Sequence, residues 1–271
     1  MKVYTQHYPV ESFVSRMGHL AHLDFSFFLD FQPTSADQLS KYNIVAHQEP
    51  NEYTGFHDWI IQNQGLFSLV MTWSDKILNQ CKNSFFQPFG STWLKPEQWN
   101  QRFEKQFVVS HVRGNYLRTY GHGLRYEYHD RSLKEVKIPF KSWVTAGIRE
   151  QPDTCAVAKL ELFGDAQFGV VIENTSHRGY FTEKIMEMFL MRTIPIYWGC
   201  SNIDDFFNPA GIVKFSSVDD VIHFLNSVTP EFYSSRLAAV EENFQRAQAY
   251  VSYEDNVVNN LTRLFTLNGL L

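Results

Sequence analysis

The feature that most constrains this chain is a five-residue run, Phe-Gly-Val-Val-Ile at 168–172, followed at once by Glu173, Asn174 and Thr175. No polar side chain interrupts the run, so a strand made from it must be covered on both faces, as in a parallel sheet between layers of helix. The abrupt change at Glu173 puts polar groups at the strand's carboxyl end, where open α/β sheets bind ligands. Further candidate strands, mostly apolar, occur at 2–5, 25–29, 43–47, 66–72 and 84–89, then at 107–112, 193–198 and 211–215. Helical periodicity falls between them, at 11–22, 56–63 and 75–81, then at 119–130, 182–192, 217–227, 231–250 and 253–267. The order predicts two successive α/β units with a cleft between them, joined by the polar stretch 90–106. No pattern is assigned to 131–167.

Composition narrows the function classes. Hydrophobic residues make up 44% and charged residues 20% of the 271, with 24 Phe, a balance that favours a packed core over disorder. The net charge of −5 supplies no basic field for nucleic acid. Cys81, Cys155 and Cys200 are odd in number and far apart, which suits neither a disulfide framework nor a zinc site and favours a reducing compartment. The first residues lack the apolar core of a signal peptide, and no apolar run approaches the ~18 residues of a membrane span. These features predict a cytoplasmic protein with no membrane anchor, or a domain cut from something larger.

The stretch 180–199, YFTEKIMEMFLMRTIPIYWG, carries the chemistry. Thr182 suits an N-cap, Glu183 and Lys184 fall in the first turn, and Ile185, Met188 and Phe189 follow at helical spacing. A helix N-terminus offers unpaired N–H groups and a partial positive charge. A lysine there is unfavourable unless an anion offsets it, so Lys184, with Arg178 nearby, points to a bound anion such as a diphosphate.

Residues 171–215 closely resemble the donor-site motif of the α1,3/α1,4-fucosyltransferases, glycosyltransferase family 10. The shared pattern is an E-N-T strand end, Y-x-T-E-K, an apolar helix, T-x-P-x-x-W-G and a Phe-Asn-Pro segment, all present here in order. The resemblance implies a GT-B-like fold, two facing Rossmann-like domains with a cleft between them. It implies an N-terminal acceptor domain over 1–100, a donor domain over 107–250, and a C-terminal helix at 251–271 packing back on the first. It further implies GDP-fucose as donor and a glycan as acceptor. Asn174 then lies near the base or ribose, Tyr180 and Glu183 contact the ribose, and Lys184 contacts the diphosphate. Arg125 supplies a second cation, with Arg118 as the alternative, and Glu49 is the catalytic base, with Glu52 as the alternative. The base takes a proton from the acceptor hydroxyl while the diphosphate leaves from the opposite face, giving inversion. No D-x-D triplet occurs in the chain, so neither a metal nor a cofactor is expected. The family's animal members carry a Golgi anchor, and the lack of one here favours a microbial or viral cytosolic enzyme. The rival expectations are the same scaffold with another nucleotide-sugar donor, or a silent binding module.

Overall fold

A computed structural model describes residues 1–6, 9–145 and 152–271, apart from the side chains of 152–155. The chain divides into two units, Met1–Phe89 with Ser252–Leu271, and Gly90–Val251. Each is built on a five-stranded sheet whose recorded strand pairs are all parallel.

In the first unit the order is β1 (Lys2–Thr5), α1 (Val10–Arg16), β2 (Phe25–Leu29), β3 (Tyr42–Ala46), α2 (Asn51–Thr54), α3 (Phe56–Gln62), β4 (Leu69–Thr72), α4 (Asp75–Gln80) and β5 (Ser84–Phe86). The strands lie side by side in sequence order, β1-β2-β3-β4-β5. All five residues of β2 are buried. Successive side chains on a strand point to opposite faces, and the partners of β2 alternate accordingly. Phe27 meets Phe13 of α1, ring centroids 5.3 Å apart, whereas Phe28 joins Val45, Val70, Phe56, Ile60 and Ile77 in one apolar cluster with α3 and α4.

The second unit runs α5 (Pro96–Trp99), β6 (Gln106–Arg113), α6 (Tyr120–Glu135), β7 (Phe140–Val144), α7 (Pro152–Phe163), β8 (Ala166–Ile172), α8 (Glu183–Leu190), β9 (Ile194–Trp198), β10 (Val213–Lys214), α9 (Val218–Ser227), α10 (Pro230–Ser234) and α11 (Leu237–Ala247). The remaining helix, α12 (Tyr253–Leu267), belongs to the first unit, where Phe265 packs edge-on against Phe25 at 5.5 Å. All seven residues of β8 are buried. Val171 faces the cluster containing α8, while Phe168, Val170 and Ile172 face the one containing Leu124 and Tyr128 of α6. Both faces of the run are covered, as its composition requires. Pro195 is tolerated in β9 because β10 pairs only with Ile196 and Tyr197, so the ladder on that side asks nothing of Pro195.

Two expectations change. The stretch 90–106 is no linker: Leu94 and Trp99 lie in the same core as Phe189, so two apolar anchors outweigh the polar residues between them. The unassigned stretch 131–167 holds the end of α6, then β7 and α7. β7 is an edge strand with no residue in the buried class, which left no apolar run to find. Cys81 and Cys200 are free and buried, and the side chain of Cys155 lies outside the described residues. Among the described residues no helix is long and apolar enough to cross a membrane.

Candidate active site

Sheet order locates the first candidate. The second sheet runs β10-β9-β8-β6-β7, so the chain's path reverses between β6 and β8. Such a switch point opens a crevice at the carboxyl ends of the strands, and here that is where β8 gives way to Glu173, Asn174 and Thr175.

Glu173 is fully buried. Its carboxylate accepts hydrogen bonds from the Thr182 amide at 3.0 Å and the Thr182 hydroxyl at 2.7 Å. Thr182 is the N-cap of α8, and its Oγ1 accepts the Lys184 amide at 3.3 Å and the Lys184 ammonium at 3.1 Å. Glu173 thus fixes the cap that fixes the helix start. The Lys184 ammonium lies 3.0 Å from Glu183 Oε1 and 3.7 Å from Glu173 Oε2. Two carboxylates of the chain thus offset this first-turn lysine.

The network extends inward. Lys159 of α7 forms a 2.7 Å ion pair with Glu187 of α8, side chains 11% and 2% exposed, and Glu187 also accepts the Trp93 amide at 3.1 Å. Burial raises the Glu173 and Glu187 carboxyls above the ordinary range. Burial acts on Glu183 in the same direction, but Lys184 and Lys159 beside it outweigh that effect and lower it to about 2.

On the other side of the switch point, Arg125 of α6 donates from Nε to the Ile172 carbonyl at 2.7 Å and from its guanidinium to Asn174 Oδ1 at 2.9 Å. Arg125 and Asn174 are both buried, so Arg125 orients Asn174 directly. α6 comes this close because Gly121 sits against the strand end: its amide donates to the Asn174 carbonyl at 3.1 Å, and a Cβ there would lie 1.9 Å from the Glu173 carbonyl. Arg118 is exposed one residue before the N-cap Thr119. Tyr180 is buried, 1% exposed, and follows Gly179, whose φ of +73° is one a side chain would strain. Beside the strand ends, Ser176, Trp198, Gly199, Ser201, Lys214 and Ser216 line a concavity of about 230 Å³.

Glu49 belongs to the first unit, just past β3. It is half-buried, whereas Glu52 is exposed in the first turn of α2. Asp30, with φ of +45°, follows β2 and is 5% exposed. It accepts the Gln48 amide at 3.0 Å and the Glu49 amide at 3.3 Å. Burial pushes its carboxyl up to about 7, against the pull of the Gln48 amide, and the nearby Glu49 adds to the rise.

The sequence profile of glycosyltransferase family 10 (fucosyltransferase), C-terminal part, matches residues 104–256, more than half of the chain. The chain belongs to glycosyltransferase family 10. It is 37% identical over 70 residues to the alpha-(1,3)-fucosyltransferase FucT of Helicobacter pylori, covering 25% of this chain and 15% of that protein. It is 27% identical over 92 residues to an alpha-(1,4)-fucosyltransferase of Arabidopsis thaliana, covering 31% of this chain and 23% of that protein. The matches thus span under a quarter of these relatives. A crystal structure of an alpha1,3-fucosyltransferase superposes with a TM-score of 0.55 at 15% identity, covering 96% of this chain and 90% of that one. The fold of this family 10 member is of the GT-B type, α/β with two parallel-sheet units.

Of the residues singled out in the sequence, the structure brings Asn174 onto Arg125 and Glu183 onto Lys184, packs Tyr180 inside, and carries Glu49 in the other unit. Sequence reasoning gave no role to Glu173, Lys159, Glu187 or Gly121. Glu173 had a signal, as the first polar residue after an unbroken apolar run. Lys159 lay in an unassigned stretch, Glu187 reads as a solvated helix residue, and Gly121 reads as part of an uninformative Gly-His-Gly.

Proposed function

We propose that this protein is an inverting glycosyltransferase that moves L-fucose from GDP-fucose to a hydroxyl of a glycan. The observation that carries the reading is the convergence at one switch point of two helix starts, α6 with Arg125 on Asn174 and α8 with Lys184, in a chain of family 10. Lys184 and the start of α8 bind the diphosphate, and Arg125 adds charge from the far side. Glu183 and Tyr180 meet the ribose, and Asn174 the base or ribose. Phosphate must compete with Glu183 and Glu173 for the Lys184 ammonium, so binding redistributes an existing charge network.

Glu49 acts as the base. As the acceptor oxygen attacks the anomeric carbon, its proton passes to Glu49, and the bond from that carbon to the diphosphate oxygen breaks with both electrons leaving on GDP. The positive groups at the start of α8 stabilise that departing charge. These groups make a metal unnecessary in this reading.

Thermal shift with nucleoside diphosphates, with and without EDTA, tests it. GDP should raise the melting midpoint more than UDP, ADP or CDP, by a few degrees at ~100 times its dissociation constant, and EDTA should leave the shift intact. A preference for UDP would keep the transferase and remove fucose. No response, with no GDP release from GDP-fucose, would favour a silent module.

A further inference from the structure

The dipeptide Gln48–Glu49 is held in an unusual way. Each of its four backbone polar groups is bound by a side chain. The Gln48 amide donates to Asp30 Oδ1 and the Glu49 amide to Asp30 Oδ2. The Gln48 carbonyl accepts from Trp73 Nε1 at 2.6 Å, and the Glu49 carbonyl accepts from His47 Nε2 at 2.7 Å. The three side chains are at most 5% exposed.

Each holder is itself fixed. With Nε2 donating, His47 Nδ1 accepts from the Thr72 hydroxyl at 3.1 Å, and Thr72 Oγ1 in turn accepts the Ser74 amide at 3.0 Å. The His47 ring packs against His57 at 4.1 Å and Trp73 at 5.5 Å. Asp30 has a left-handed backbone, sparsely populated for a residue with a side chain, and its amide bonds the Ala46 carbonyl of β3 at 3.0 Å. Loops at strand ends ordinarily give their backbone groups to water. Strained backbone and buried polar networks of this kind mark places where geometry is over-determined, and they cluster at active sites.

We propose that Asp30, Trp73 and His47 are positioning residues that clamp the backbone of Gln48–Glu49 and so aim the Glu49 carboxylate at the acceptor hydroxyl. The inference rests on Glu49 being the base of the transfer. Misplacing a reacting group by about an ångström costs up to ~100-fold in rate.

The test uses the whole chain and three variants, Asp30→Asn, Trp73→Phe and Glu49→Gln. GDP release from GDP-fucose is followed over a panel of oligosaccharides, with water alone as the baseline acceptor, from pH 5.5 to 9. Asp30→Asn and Trp73→Phe should each lower kcat by ~10-fold or more, with KM for GDP-fucose and affinity for GDP within about twofold of the parent. Trp73→Phe keeps the aromatic packing and removes only the donor, so it carries the test if Asp30→Asn fails to fold. Parental kcat in both Asp30→Asn and Trp73→Phe, beside an inactive Glu49→Gln, would overturn the clamp while leaving the base in place. An active Glu49→Gln would instead remove the base, and the clamp with it.

Discussion

Asp30 and Glu183 are both carboxylates shielded at the carboxyl end of a parallel sheet, and they are held by opposite means. Asp30 is bound by two backbone amides and has another carboxylate, Glu49, as its charged neighbour, so burial lifts it to about 7. Glu183 lies between Lys184 and Lys159 and is lowered to about 2 in spite of burial. At the first unit's strand end Asp30 has another carboxylate, Glu49, beside it, which suits a proton acceptor. The second interleaves acids with lysines around α8, which suits an anion that can exchange into the network. Sheet order reinforces the contrast: the first sheet is laid down in sequence order and the second reverses between β6 and β8. A parallel sheet alone therefore specifies no ligand; the charges at its edge and the reversal do.

The largest expected effect comes from breaking the compensation in the second unit. Glu187→Ala leaves the nearly buried Lys159 without its 2.7 Å partner and should cost ~3–5 kcal/mol of stability, read by chemical denaturation. A loss under about 1 kcal/mol would mean that water already reaches the pair. Next is the proposed base: Glu49→Gln should slow transfer by ~100-fold or more while GDP affinity, measured calorimetrically, stays unchanged. Full activity there with none in Glu52→Gln would move the base to α2. Lys184→Ala should weaken GDP binding by ~1.5–3 kcal/mol and leave the fold in place; unchanged affinity would put the anion site elsewhere.

The smallest effect is a slope whose sign separates the two ends. Asp30 titrates near 7 when folded and near ~4 when unfolded, so between those values the folded protein holds the extra proton. Its contribution to stability therefore falls as pH rises from about 4 to 7, by at most ~1.4 kcal/mol per pH unit. Glu183 acts oppositely: its contribution is complete only above its unfolded value of 4.5 and is lost as pH falls towards 2. Unfolding at several pH values should show the first slope flattened in Asp30→Asn and retained in Glu183→Gln. An unaltered slope in Asp30→Asn would assign the proton to another group.

The fold was legible wherever burial acts on both faces of a strand. β2 and β8 are mostly apolar, broken only by Ser26 and Gln167, because no side of them meets water, and the α8 cap was readable because Thr182 and the first turn follow local rules. β7 was not legible, since an edge strand needs no apolar run. Nor was the 90–106 segment, whose place depends on Leu94 and Trp99 finding a core made by α8. Glu187 and Lys159 look like surface charges because sequence does not reveal that their helices pack together.

The sequence by itself determined the α/β class, the start of α8 with its Thr-Glu-Lys, and family 10 membership through the motif at 171–215, since these depend on periodicity and on contacts a few residues apart. Tertiary structure alone decided what brings Glu173 to Lys184, what orients Asn174, and what holds Gln48–Glu49. Those partners lie 11 residues away for Glu173, 49 for Arg125, and 18 to 25 for Asp30 and Trp73. Charge compensation and backbone clamping act through space, over a few ångströms, and chain separation carries no information about them until the sheets have formed.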